Sequence, residues 1–167
     1  VPLGRIALAT NANRVLPDFF AGGAYAPAAS VATLANAMDV GAPSNFERLR
    51  WLYASDDVAL RVAFTASEVD DAAIREVIAR RYRDHGEVHC PHTATAVKVL
   101  ENLRAQGGEG DWAVAATAHP AKFESVVEPL IGRAVEVPPA LADLLSRPAH
   151  ADPIPADYDA LREHVLQ

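Results

Sequence analysis

Short apolar runs alternate along the chain with longer stretches whose apolar residues recur at helical spacing. Residues 5–10, Arg-Ile-Ala-Leu-Ala-Thr, are apolar without alternation and end in polar residues, the pattern of a strand buried on both faces of a parallel sheet. A helix is predicted next, with Asn13 as cap, Val15, Leu16, Phe19 and Phe20 on its apolar face, and Gly22-Gly23 as its stop. Residues 24–45 carry no clean period and predict a loop with one short helix over 31–36. Short helices are predicted over 46–54 and 58–65. A longer one starts at Asp70 or Asp71, sets Ile74, Val77, Ile78 and Tyr82 on one face and closes at Gly86. The remainder predicts strands over 87–90, 112–117 and 134–137. Helices are predicted over 93–106, from Pro120 to Gly132, over 140–146, and over 157–166 with Asp157 as cap.

Strands alternating with helices imply an α/β fold, a three-layer parallel sheet with helices on both faces, and 167 residues suffice for one such segment rather than two independent domains. In open sheets of this kind ligands bind beyond the carboxyl ends of the strands. Polar residues gather at those ends: Thr10 to Asn13 after the first strand, Cys90 to Thr93 after the second, and Thr117 to His119 after the third. The pattern therefore points to one site built from separated segments, without naming its ligand.

Composition narrows the classes. A net charge of -7, from 22 acidic and 15 basic residues, leaves no basic footprint for nucleic acid or anionic lipid. No apolar run approaches the roughly 20 residues that span a bilayer, and the single cysteine, Cys90, excludes an internal disulfide framework. A reducing, cytoplasmic setting is the expectation. The opening Val1-Pro2-Leu3-Gly4 has neither an initiator methionine nor a secretion signal, which suits a chain whose beginning lies elsewhere. His85, His89, Cys90 and His92 fit no standard zinc spacing, so no metal is expected; Trp51 and Trp112 are expected in the core.

Five strings in order complete the reading: Ala-Thr-Asn-Ala-Asn at 9–13, Asn-Ala-Met-Asp-Val at 36–40, Ser-Asn-Phe-Glu-Arg at 44–48, Pro-His-Thr-Ala at 91–94 and Thr-Ala-His-Pro-Ala-Lys-Phe at 117–123. Together they resemble the successive signatures of the later part of the threonine synthase family, over essentially the whole chain. The resemblance implies the C-terminal portion of the tryptophan synthase β-like fold, in which pyridoxal phosphate lies between two α/β domains. It also implies conversion of O-phosphohomoserine and water to threonine and phosphate, with the cofactor as electron sink. The Schiff-base lysine and the glycine-rich phosphate turn belong to an upstream part. The only lysines here, Lys98 and Lys122, lie outside the family's Schiff-base motif, so no catalytic residue is expected in 1–167 and the isolated polypeptide should be inactive. A related phospho-lyase, or a non-catalytic binding module keeping half of the fold, would share these strings. Self-association through the surface left by the missing part is a further expectation.

For individual residues, the resemblance sets the Thr117 hydroxyl opposite the cofactor's pyridine nitrogen, with capping of the next turn as the alternative. His92 and Thr93 would start a helix near the ring, although Cys90 stands where many members carry an acid. Asn11 would face the cleft while Asn13 caps or binds substrate. Ser44, Asn45 and Arg48 offer a hydroxyl, an amide and a guanidinium to the substrate phosphate, at a helix start whose free amides would add to the pull. Ser44-x-x-Glu47 is equally a capping box, worth about 1 kcal/mol. Asp39 would orient neighbouring loop backbone or the arginine, and His119 would approach the cofactor or bond locally.

Overall fold

The sheet comes from pairing between segments far apart in the chain. The computed structural model describes residues 4–166, the side chain of Leu145 excepted, so Val1 to Leu3 of the opening string lie outside the described residues. Strand β1 (Ile6–Thr10) runs parallel to β2 (Phe64–Glu68), in a register from Ile6↔Phe64 to Thr10↔Glu68. Between them come α1 (Val15–Phe20), a 3-10 turn at Asn36–Met38, α2 (Phe46–Leu52) and α3 (Asp57–Ala63). After β2 follow α4 (Asp71–His85), α5 (Pro91–Ala105), a second 3-10 turn at Pro120–Phe123, and α6 (Glu124–Ile131). The chain then ends in α7 (Pro139–Leu145) and α8 (Tyr158–Leu166).

Two clusters hold residues 4–135 together. Phe19, Phe46, Leu60 and Phe64 are buried where α1, α2, α3 and β2 meet, and Phe19 sets its edge to Phe46 with ring centroids 4.9 Å apart. Aromatic pairs in this arrangement gain about 0.5–1.5 kcal/mol beyond the area they bury. The larger cluster joins Ile74, Val77 and Ile78 of α4 to Ala94 and Val99 of α5 and to Val127 and Ile131 of α6. The helix signals act as predicted: Asp70 accepts from the Ala73 N–H at 2.7 Å, and Gly86 closes α4 at φ 72°. Residues 136–166 form a second compact unit, in which the Asp157 carboxylate accepts from the Ala160 N–H at the start of α8.

Several expectations need correction. The sheet of the described residues has two strands, not a three-layer array, and residues 87–90, 112–117 and 134–137 have no ladder partner. Residues 64–68, expected within or after a helix, form β2, because pairing with β1 outweighs a local pattern that suits α3. Asn13 does not cap α1; Arg14 holds that position and Asn13 is used by the neighbouring loop. The capping box at Ser44 does not form, since the N-cap of α2 is Asn45 and no side chain bonds there. Trp51 is 83% exposed rather than core.

Candidate functional site

A cleft of about 1270 Å3 opens between β1 and the irregular chain of residues 109–117, and Val99, Leu100 and Leu103 of α5 also line it. Its polar end is formed by Thr10, Asn13, His92 and Thr117, with Ser44 and Asn45 in the same wall. Of the groups singled out in the sequence, Thr117, His92, Asn13, Ser44 and Asn45 therefore share one cleft. Asn11, Thr93 and Arg48 do not line it.

The reason lies in a buried polar lock. Asn11 is fully buried, and its Nδ2 donates to Thr33 Oγ1 at 2.8 Å, the Ala35 carbonyl at 3.1 Å and Asp39 Oδ1 at 2.7 Å. Its Oδ1 accepts from the backbone N–H and the Nδ2 of Asn13, at 3.0 and 2.9 Å. Asn13 in turn donates to the Val31 carbonyl and accepts from the Val31 N–H. The second carboxylate oxygen of Asp39 accepts from the Thr33 N–H at 3.0 Å. Asn11 and Asn13 thus bind the irregular 31–39 segment, and Asp39 orients loop backbone rather than Arg48. Together with Ala35 in the larger core cluster, this lock fixes the course of a segment that has no hydrophobic period.

His92 ties α5 to the same segment. It stands in the first turn of α5, 8% exposed, and its Nε2 accepts from the Ala37 N–H at 3.1 Å. An imidazole that accepts at Nε2 while neutral carries its proton on Nδ1, and that N–H has no protein partner among the described residues. Burial holds the His92 pKa below the ordinary imidazole value, partly opposed by the Asp39 charge. Its ring packs on Phe123 at 4.8 Å between centroids. Thr93 is spent on the helix start: Cys90 Sγ accepts from its backbone N–H at 3.4 Å and lies 3.3 Å from its hydroxyl.

Thr117 is exposed on the cleft wall and makes no protein hydrogen bond among the described residues, so it does not cap the following turn. His119 does that instead, its Nδ1 accepting from the Ala121 N–H at 3.2 Å. Arg48 is exposed on α2, and its guanidinium has no hydrogen-bonded partner among the described residues. Trp112 lines the cleft with a buried, unpaired indole N–H, a feature that sequence reasoning placed only in the core. No group of three or more His, Cys, Asp or Glu that would hold a metal occurs among the described residues, and His89 is taken by Glu87 at 3.1 Å. Lys98 and Lys122 both lie off the cleft.

Known proteins resemble this chain along its whole length. Residues 93–165 match the family described as threonine synthase, C-terminal. Threonine synthase of Escherichia coli is 35% identical over 166 residues, covering 99% of this chain and 38% of that protein, and that of Serratia marcescens gives the same figures. Along its whole length the chain is similar to the C-terminal part of threonine synthases. The solved structure of the E. coli threonine synthase superposes with a TM-score of 0.78 at 34% identity, covering 99% of this chain and 38% of that one. A structure of pyridoxal-phosphate-bound threonine synthase from Brucella melitensis gives 0.73 at 28% identity, over 88% of this chain and 36% of its own. The chain thus spans about two fifths of the length of the threonine synthases it matches. No helix among the described residues is long and apolar enough to cross a membrane.

Proposed function

We propose that this chain is the C-terminal segment, residues 1–167, of the catalytic domain of a cytoplasmic threonine synthase, which converts O-phospho-L-homoserine and water to L-threonine and phosphate with pyridoxal phosphate. The observation that carries the reading is the similarity to the E. coli threonine synthase over 99% of the chain, coupled to a cleft where the family strings gather. The residues present fit a flat, polar-edged cofactor: His92 offers a buried Nδ1–H with no partner, Thr117 an unused hydroxyl, and Leu8, Val99 and Leu103 apolar walls. When bound, the chemistry such a cofactor supplies is an electron sink for carbanions.

In this reading the Thr117 hydroxyl hydrogen-bonds the pyridine nitrogen without fixing a full charge on the ring, and His92 donates to an acceptor on the cofactor. Thr93 and Asn11 keep the cofactor wall in place from behind, Thr93 through Cys90 and Asn11 through the 31–39 segment. Ser44, Asn45 and Asn13 meet the substrate from the cleft wall, and Arg48, one turn along α2, swings toward its phosphate as a charge-assisted donor. With neither lysine on the cleft, the lysine that tethers the cofactor comes from another segment, and the sheet reaches its three-layer, tryptophan synthase β-like form only with that segment. Adding pyridoxal phosphate to the chain alone should produce neither the Schiff-base absorbance band nor threonine. The polypeptide of the complete reading frame should give both, preferring O-phosphohomoserine to phosphothreonine. Threonine formation by the chain alone, or the opposite preference, would refute the assignment.

A further inference from the structure

The side chain of Asn11 reaches both ends of the 3-10 turn at Asn36–Met38. Its Nδ2 donates to the carbonyl of Ala35, which precedes the turn, at 3.1 Å, and to Oδ1 of Asp39, which follows it, at 2.7 Å. A further anchor comes from the first residue of α4, where Asp71 accepts from the Leu34 N–H at 3.0 Å. Ala35 is itself fully buried in the larger core cluster. The turn is thus tied to the end of β1 and to the start of α4, and neither of these carries His92.

The middle of the turn meets the imidazole. The first amides of a helical turn have no acceptor within it, and that of Ala37 donates to His92 Nε2 at 3.1 Å. A neutral imidazole has one N–H and one lone pair, and the bond made at one nitrogen decides what the other carries. With the lone pair held at Nε2 the proton stays on Nδ1, which has no protein partner among the described residues. His119 shows the opposite arrangement: its Nδ1 accepts from the Ala121 N–H, so its proton belongs on Nε2. In this molecule the backbone donor that each ring meets chooses the tautomer.

We propose that Asn11 is a positioning residue for His92: by pinning the turn at both ends it aims the Ala37 N–H at Nε2, and so makes His92 a hydrogen-bond donor rather than an acceptor at the cleft that it lines. Asn11 does not line the cleft and touches no ligand there, so it acts only through the turn and the ring. The inference rests on the threonine synthase reading for what the donor meets, an acceptor atom of the cofactor or the substrate. The choice of tautomer itself stands on the hydrogen bonds alone.

The test reads the ring nitrogens by nuclear magnetic resonance in the polypeptide of the complete reading frame, its histidines labelled with nitrogen-15, at about pH 8, where an ordinary imidazole is neutral. His92→Gln and His119→Gln assign the signals. His92 is expected in the Nδ1–H form and His119 in the Nε2–H form. Asn11→Ala should move the ratio of the two His92 forms at least about fivefold toward Nε2–H, the effect of losing one net hydrogen bond, and leave His119 unchanged. An ester in place of the Asn36–Ala37 peptide bond removes only the amide donor, at an exposed residue, and should shift His92 in the same direction. A parent His92 protonated at Nε2, or either folded variant keeping the parent's ratio, overturns the proposal; if Asn11→Ala does not fold, the ester decides alone. A lock with a structural role only would lower the urea midpoint of Asn11→Ala and leave the ratio alone. Threonine formation by a protein whose His92 ratio ignores Asn11 sinks the positioning role alone, and the expected ratios without threonine formation sink the enzymatic reading alone.

Discussion

Replacing Asn11 by alanine should cost far more than the loss of one amide. The side chain is fully buried and serves three acceptors through Nδ2 and two donors through Oδ1. After truncation, water can reach the half-buried Asp39 and Thr33. The Ala35 carbonyl keeps the Met38 N–H at 2.9 Å, whereas the Asn13 N–H, in a residue 8% exposed, loses its partner where water does not reach. An unsatisfied buried polar group costs about 1–3 kcal/mol, which sets the loss at about 2 kcal/mol. Urea unfolding followed by far-ultraviolet circular dichroism would show it as a lower midpoint at unchanged slope. Asn11→Asp sharpens the test. It keeps an acceptor for Asn13 but turns the 2.7 Å contact with Asp39 Oδ1 into one between two carboxyl groups. Repulsion is absent while one of them holds a proton, so the stability of this variant should fall as pH rises through the carboxylate range, whereas Asn11→Ala keeps the parent's profile there. An Asn11→Ala variant within about 0.5 kcal/mol of the parent, the range of ordinary surface changes, would refute the role given to the lock.

Other perturbations read the remaining parts of the structure. Because burial depresses the His92 pKa, the unfolded chain binds more protons at this residue, so its contribution to stability is full above the unfolded value near 6.5 and is lost as pH falls below it. Urea midpoints between pH 8 and 5 should fall less in His92→Gln than in the parent. Arg80 bridges α4 to α5, donating to both carboxylate oxygens of Glu101 at 2.9 and 2.7 Å and to Glu76 on its own helix. With side chains about a quarter exposed, the cross-helix pair should contribute about 1 kcal/mol in a double-mutant cycle with Glu101→Ala, shrinking in 1 M salt. At Gly41 an added Cβ would lie 1.9 Å from the Ala28 carbonyl oxygen, in a pair of segments joined by the Ala28 N–H bond to the Gly41 carbonyl. Gly41→Ala should therefore separate these segments and lower the urea midpoint, while Gly4→Ala, with nothing within 4 Å of its Cβ, should not.

What the sequence made legible were features decided within a few residues. The caps at Asp70 and Asp157, the glycine closures at Gly86 and Gly132, and the stripe Ile74, Val77, Ile78 follow from local backbone chemistry and helical period, and all stand in the structure. Features decided by distant pairing were not legible. The start of β2 looked helical and the rest was not read as strand, because its identity depends on β1; residues 112–117 looked like a strand because composition reports an environment that the described residues do not supply. The site divided in the same way. His92 and Thr117 share one cleft, although the strands expected before them do not form among the described residues. Asn11 and Asp39 face each other through a loop without period, and no spacing rule connects positions 11, 33 and 39.

The order in which the two apolar clusters close bears on synthesis. Phe19, Phe46, Leu60 and Phe64 are all present once residue 64 has been made, and the β1–β2 ladder needs only four more residues. The cluster around Ile74 waits for Val127 and Ile131. At about 5–20 residues per second, a ribosome leaves several seconds between the two events. During that interval the nascent chain holds an aromatic knot and a two-stranded ribbon while α4 and α5 emerge with their inner faces still bare, which makes this stretch the natural client of a chaperone that binds aliphatic segments.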